Sequence, residues 1–222
     1  MCRAVHCLLA VLALAACSAS WASNRTAGAA GAGTAGTAGV GAARCGPAGG
    51  RTLAADAADA GARVYSLQGS VYGCANRSRL YRLGGAGNCI SARHVGPVIV
   101  AGTFAAYGLT SCGVDLGTTQ VIVRRLSDGR QLVDDGANSL PLGPESYQSV
   151  GSLVVRADGD VAWIAVGSSI VTHRRVIEVH EQDRTGDHLL DTGAGVRPGS
   201  LRLRGDKLTW RHGHALRSAT LR

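Results

Sequence analysis

Three short arrangements in this 222-residue chain put chemically useful side chains close together. His212-Gly213-His214 is the nearest approach to a metal-ligand pair, while Asp134-Asp135 and Asp158-Gly159-Asp160 pair carboxylates. A catalytic or structural zinc needs at least a third protein ligand, and the sequence around the two histidines indicates none. Read plainly, they form a turn between Trp210-Arg211 and Ala215-Leu216, with both imidazoles in solvent. Paired carboxylates can hydrolyse a glycosidic bond only when they face each other across it. For a hydrolase, Asp134, Asp160, Asp191 and His180 would have to gather in one pocket from different strands. In turns, the same aspartates bond nearby backbone amides. His173, His180 and His188 are scattered over one stretch, and no Gly-x-Ser-x-Gly, phosphate-binding loop or His-Glu-x-x-His occurs. The sequence therefore assigns no catalytic residue, no metal ligand and no cofactor.

The seven cysteines carry more information. Met1-Cys2-Arg3 opens a short segment with one Arg, followed by the apolar run Leu8–Ala16. That run is too short to span a bilayer, which needs about 20 residues, and fits a secretory signal over residues 1–16. Its end, Leu14-Ala15-Ala16-Cys17, resembles a bacterial lipobox, in which a peptidase cuts before the cysteine and a diacylglycerol is attached to its sulfur. The resemblance implies lipidation at Cys17 and a membrane-anchored, extracytoplasmic protein. The alternative is cleavage after Ser20-Trp21-Ala22, which would release a soluble secreted form. Either way Cys45, Cys74, Cys89 and Cys112 remain, an even set suited to an oxidising compartment. Four cysteines allow three connectivities. Cys89 and Cys112 lie nearly symmetrically about Gly102, so the favoured pairing is Cys89–Cys112, with Cys45–Cys74 tying the preceding segment to the first strands. No Cys-x-x-Cys suggests zinc or thiol-redox chemistry.

Residues 17–50 form a lipid site and a Gly/Ala-rich tract with Thr as filler, a composition expected to act as a flexible tether. The net charge of +8 is unevenly placed. Residues 51–196 carry 13 basic and 14 acidic side chains, whereas residues 197–222 carry seven basic side chains and only Asp206. Arg202 and Arg204 alternate with Leu201 and Leu203, which on a strand puts the arginines on the solvent face. With no nucleic-acid fold motif in an exported chain, DNA or RNA is not an expected partner.

Over residues 51–222 the pattern is of short β-branched runs cut by Gly and Asp-Gly turns, an all-β signature. Ser152–Ala157, the turn Asp158-Gly159, then Asp160–Val166 is the clearest hairpin. The order recurs in about four units, 51–83, 97–136, 151–193 and 200–221, the last lacking an outer strand. Tyr107, Trp163 and Trp210 share one position in the repeat, and Asp134 and Asp191 share another inside Leu-x-Asp-x-Gly. The spacing resembles the blades of exported bacterial β-propeller repeat proteins. It is most similar to uncharacterised secreted proteins of GC-rich actinobacteria in which a Val-Tyr-Gly-Cys segment, here Val71–Cys74, precedes the blades. The resemblance implies a small or partial propeller, with a β-sandwich as the alternative. The function expected is a binding or scaffolding module for an unknown protein or cell-envelope ligand, held at the membrane by its lipid. The alternative is an extracytoplasmic hydrolase with carboxylates on blade loops.

Overall fold

Alternating apolar and polar residues bounded by glycine turns give β-strands almost wherever the sequence indicates them. The computed structural model describes residues 45–47, 49–56, 61–76, 78–90 and 93–222. The signal segment 1–16, the lipidation site Cys17 and the tether up to residue 44 lie outside the described residues. Among the described residues there are strands and turns and no helix. The first antiparallel meander comprises β1 (Arg51–Ala55), β2 (Ala62–Leu67), β3 (Ser70–Ala75) and β4 (Tyr81–Gly85). The second comprises β5 (His94–Ala101), β6 (Phe104–Cys112), β7 (Gly117–Arg125) and β8 (Gln131–Gly136). The third comprises β9 (Ser146–Val155), β10 (Val161–Ser169), β11 (Arg175–Asp183) and β12 (Gly186–Thr192). The fourth has three strands, β13 (Arg202–Arg204), β14 (Lys207–His212) and β15 (Ala215–Thr220). Single parallel pairs, Gly85 with His94 and Gly117 with Tyr147, join the first three meanders into one mixed sheet, and β13–β15 form a sheet of their own.

The core lies between consecutive meanders. Val64, Val71 and Leu83 of the first pack against Val100, Tyr107 and Ile122 of the second. Val121, Val123 and Val133 of the second meet Leu153, Val161 and Trp163 of the third. Ile164, Ile177 and Val179 of the third meet Leu208, Trp210 and Leu221. The two inner meanders are thus buried on both faces. Trp163 and Ala165 point one way from β10 and Ala162 and Ile164 the other, which is why Val161–Val166 reads as an unbroken apolar run. Of the outer meanders, the fourth buries one face, against the third. On the fourth, Leu201 is buried while Arg202, Arg204 and Arg211 are exposed, as the alternation requires.

The outer face of the first meander is closed over by the segment preceding β1. Cys45 bonds to Cys74 with Cα atoms 5.7 Å apart, and both pack on the buried Tyr65. The Arg63 guanidinium stacks 4.8 Å from the Tyr65 ring centroid and donates to Gly50 O at 3.1 Å. The second disulfide, Cys89–Cys112, has Cα atoms 5.2 Å apart and ties the loop before β5 to the end of β6. This is the connectivity favoured from the spacing, and such bonds persist in oxidising compartments outside the cytoplasm.

Two turn glycines separate backbone strain from packing. Gly129 (φ +78°) sits where a Cβ would run into the Tyr81 ring of the neighbouring meander, whereas Gly205 (φ +57°) faces open space. Gly205→Ala should cost about 1 kcal/mol of left-handed strain. Gly129→Ala should cost about 1–3 kcal/mol because the ring must also move. Urea midpoints of the two variants measure the difference; equal shifts would mean that Tyr81 yields freely.

Candidate functional site

Meanders alternate their turns between two ends, and in this stack the turns joining the first and second strands gather at one of them. Gly102 N, in the β5–β6 turn, donates to Asp56 Oδ2 just after β1 at 3.1 Å. Gly102 also lies against Ala157 of the β9–β10 turn, and Arg156 of that turn reaches Asp206 of the β13–β14 turn, Nη1 to Oδ1 3.4 Å. Four meanders thus present one linked row of turns.

Arg156 is the hub of this end. It pairs with Asp158 at 3.0 Å and Asp160 at 3.9 Å, and its Nη1 donates to Leu221 O at 2.9 Å. On one side a cavity of about 560 Å³ opens between Ala101, Val155, Arg156, Leu203 and Gly205. On the other, cavities of about 300 and 240 Å³ share Asp158, Asp160, Asp183 and Arg184. A further one of about 380 Å³ runs from Asp183 to Arg222 along Glu181 and His188. These depressions adjoin through shared lining residues and together make one shallow groove open to solvent.

Its carboxylates differ in character. Burial, reinforced by Asp158, pushes Asp160 above the ordinary aspartate range against the pull of Arg156. Burial and then the Asp183 charge likewise raise Glu181, opposed by His188 and Arg222. Asp183 is held below its usual range by the Thr185 hydroxyl and backbone amide, which donate to Oδ1 at 2.6 and 2.7 Å. The groove therefore carries one firmly ionised carboxylate beside two whose ionisation is resisted.

The other residues singled out in the sequence are placed elsewhere. Asp134 is exposed and accepts from Gln120 and Gln131, both at 2.7 Å. Asp191, its counterpart in the repeat, accepts from Trp210 Nε1 at 2.7 Å and lies 3.1 Å from His212 Nδ1. Burial alone would raise Asp191, but the bonds from Trp210 and His212 outweigh it and lower it. His212 is thereby turned to Asp191, while His214 is exposed. Among the described residues, no three His, Cys, Asp or Glu side chains are placed to hold a metal ion.

His180 is fully buried between two carboxylates, Nε2 2.7 Å from Glu178 Oε2 and Nδ1 3.2 Å from Asp187 Oδ1. Its ring lies 5.0 Å from that of Trp163 and nearly parallel to it. Asp134, Asp160, Asp191 and His180 thus have four different sets of partners. The sequence reading passed over Glu178, Glu181 and Asp183, although a signal was available: two acids inside the apolar run Val176–Val179 and its continuation.

Removing the hub tests how the end is held. Arg156→Ala leaves Asp160 buried without its cation and breaks the tie to Leu221. It should lower stability by about 1–3 kcal/mol, read as a shifted thermal midpoint. The surface pair Arg125–Asp128 at 2.8 Å should shift the midpoint far less when cut by Arg125→Ala, because solvent screens it. Compared against protein-family profiles and against characterised proteins, the sequence matches none.

Proposed function

We propose that the chain is an exported, lipid-anchored binding or scaffolding module, built as a partial β-propeller and related to the exported repeat proteins it resembles. Its ligand, a protein or a cell-envelope component, lies in the groove where the turns of successive meanders meet. The observation that carries this reading is that linked row of turns, with the cavities beside Arg156 at its centre. Face-to-face packing of antiparallel meanders is how propeller blades stack, and the exposed arginine face of the fourth meander suits an open stack. The disulfides suit export, and Cys17 supplies the anchor. The separate settings of Asp134, Asp160, Asp191 and His180 lend the hydrolytic alternative no support.

Two experiments test this. Metabolic labelling with a palmitate analogue should mark the wild-type chain and leave Cys17→Ser unlabelled; equal label in both removes the anchor. For binding, the full chain carrying Cys17→Ser is sedimented with isolated cell-wall material. Exchanging the exposed groove charges, Asp158→Arg with Arg184→Glu, should reduce retention at least about tenfold. Unchanged retention would place binding outside the groove.

A further inference from the structure

We propose that the end of the stack opposite the groove docks on an anionic lipid bilayer, its exposed apolar turn tips entering the headgroup region and its arginines meeting the phosphates. The inference goes beyond the groove reading and is independent of a lipid at Cys17.

At this end the turns join the second and third strands of each meander. The β6–β7 turn carries Val114, 93% exposed, and the exposed Leu116, while the β10–β11 turn carries the exposed pair Ile170-Val171. The Cys89–Cys112 disulfide brings Ile90, 81% exposed, to the end of β6. Tyr147 links the two turns, pairing with Gly117 just after the first and with Ser168 just before the second. Six of the ten large apolar side chains exposed among the described residues are therefore gathered at one end. Exposed apolar residues scattered singly need no account, whereas a gathered set marks a contact surface. Turns ordinarily take polar residues, so folding does not call for these.

Three features select a bilayer as what covers them. The apolar side chains stand on the tips of separate turns, where a fluid interface receives them without a matching partner surface. The backbone donors of those turns are engaged internally: Gly113 N donates to Leu116 O at 2.7 Å, Ile170 N to Glu145 O at 3.0 Å and Thr172 N to Ser169 Oγ at 3.2 Å. Unpaired backbone groups would oppose entry into lipid. The charge is also complementary. Arg174 and Arg175 follow Ile170-Val171, and Arg93 follows Ile90, all three exposed, against the exposed Asp115 and Glu145. Long arginine stems reach phosphates while shorter apolar tips sit among the headgroups. Asp115, between Val114 and Leu116, holds that entry shallow.

Docking this way turns the groove, at the opposite end, away from the membrane and toward the envelope. A lipid on Cys17 would stand 28 residues before Cys45, a span of at most about 100 Å, so anchor and tips can share one bilayer.

The test uses the exported chain carrying Cys17→Ser, so that no lipid contributes. Vesicles of phosphatidylcholine, alone or mixed equally with phosphatidylglycerol, are sedimented with it. The chain should bind the mixed vesicles saturably and the neutral ones at least about fivefold more weakly. Val114→Ser with Ile170→Ser and Val171→Ser should weaken binding at least about tenfold, because affinity scales with the apolar area buried. All three positions are exposed, so the thermal midpoint should hold. Arg174→Gln with Arg175→Gln should weaken binding at least about fivefold. Arg202→Gln with Arg204→Gln, on the outer face of the fourth meander, should change it less than about twofold. The proposal is overturned if neither vesicle binds, if the triple serine variant binds as wild type does, or if the loss follows Arg202 and Arg204 instead. Self-association abolished by the serine substitutions, without vesicle binding, would assign the tips to a second copy and overturn it too. Cell-wall retention tests the groove separately and should be untouched by the serine substitutions. Vesicle binding without charge-dependent wall retention removes the groove reading alone, and the reverse result removes the docking surface alone.

Discussion

Replacing Glu178 by alanine should destabilise the protein by about 3–5 kcal/mol, the cost of breaking up a buried, fully bonded charge cluster. Glu178 is 0% exposed, and both its oxygens are engaged. Ser139 N and Leu140 N donate to Oε2 and Oε1 at 2.7 and 3.1 Å, the Ser139 hydroxyl adds a bond at 3.2 Å, and His180 lies at 2.7 Å. One carboxylate on β11 therefore fixes the loop leaving β8, 39 residues earlier in the chain. Burial by itself would raise its pKa, but the Ser139 amide, His180 and the Leu140 amide outweigh burial and lower it. The sign of the pH dependence follows. A carboxylate depressed in the folded state stabilises fully above its unfolded pKa of about 4.3 and loses that contribution as pH falls through the folded value. Urea midpoints of wild type and Glu178→Gln should differ most near neutrality and converge below about pH 4. The amide keeps the size but turns a donor toward donating N–H groups, so Glu178→Gln should also be destabilised at pH 7. A pH-independent difference would show that the carboxylate's charge plays no part.

Trp163→Ala should have an effect of the same size, about 3–5 kcal/mol for a large aromatic in a core that only partly collapses. Trp163 is fully buried, stacks on His180 from the neighbouring strand, and donates from Nε1 to Ala137 O at 2.8 Å. Trp163→Phe keeps a ring on His180 and strands one buried carbonyl, so about 1–3 kcal/mol of loss is expected. Because Trp163 and Glu178 both hold the loop after β8, the two lesions should be less than additive in a double-mutant cycle. Strict additivity in guanidinium melts would mean that the two anchors act independently.

How much of this was legible depends on the range over which each feature is encoded. Asp158-Gly159, Ser127-Asp128-Gly129 and Gly205 mark turns within a few residues, and the alternation beside them marks the strands, so the hairpins were readable. The even set of four cysteines and the symmetry about Gly102 pointed to the pairing. Tyr107, Trp163 and Trp210 were seen to recur, and all three are buried. Tyr65, in the fourth position of β2 as Tyr107 is in β6, went unnoticed because it faces outward onto Cys45–Cys74. The groove was out of reach. Glu181 and His188 face each other across the β11–β12 hairpin, but Arg222 joins them only because two meanders stack in one register, and nothing local in the chain encodes that register. The same holds for Glu178, whose partners Ser139 and Leu140 belong to an unremarkable polar loop. What could have been noticed is that acids inside an apolar strand need a reason.

The layering has a kinetic corollary. In a linear stack each layer is stabilised by its neighbours, so the ends open before the middle. The fourth layer has one neighbour, three strands and no disulfide, whereas the first is stapled by Cys45–Cys74. Amide exchange should therefore be fastest in β13–β15 and slowest in β6 and β10. Arg156's ties to Asp206 and Leu221, and the wall of the groove formed by Thr220 and Arg222, all ride on that fraying layer. A molecule captured there would slow its opening, and occupancy of the groove would register as protection across the last three strands.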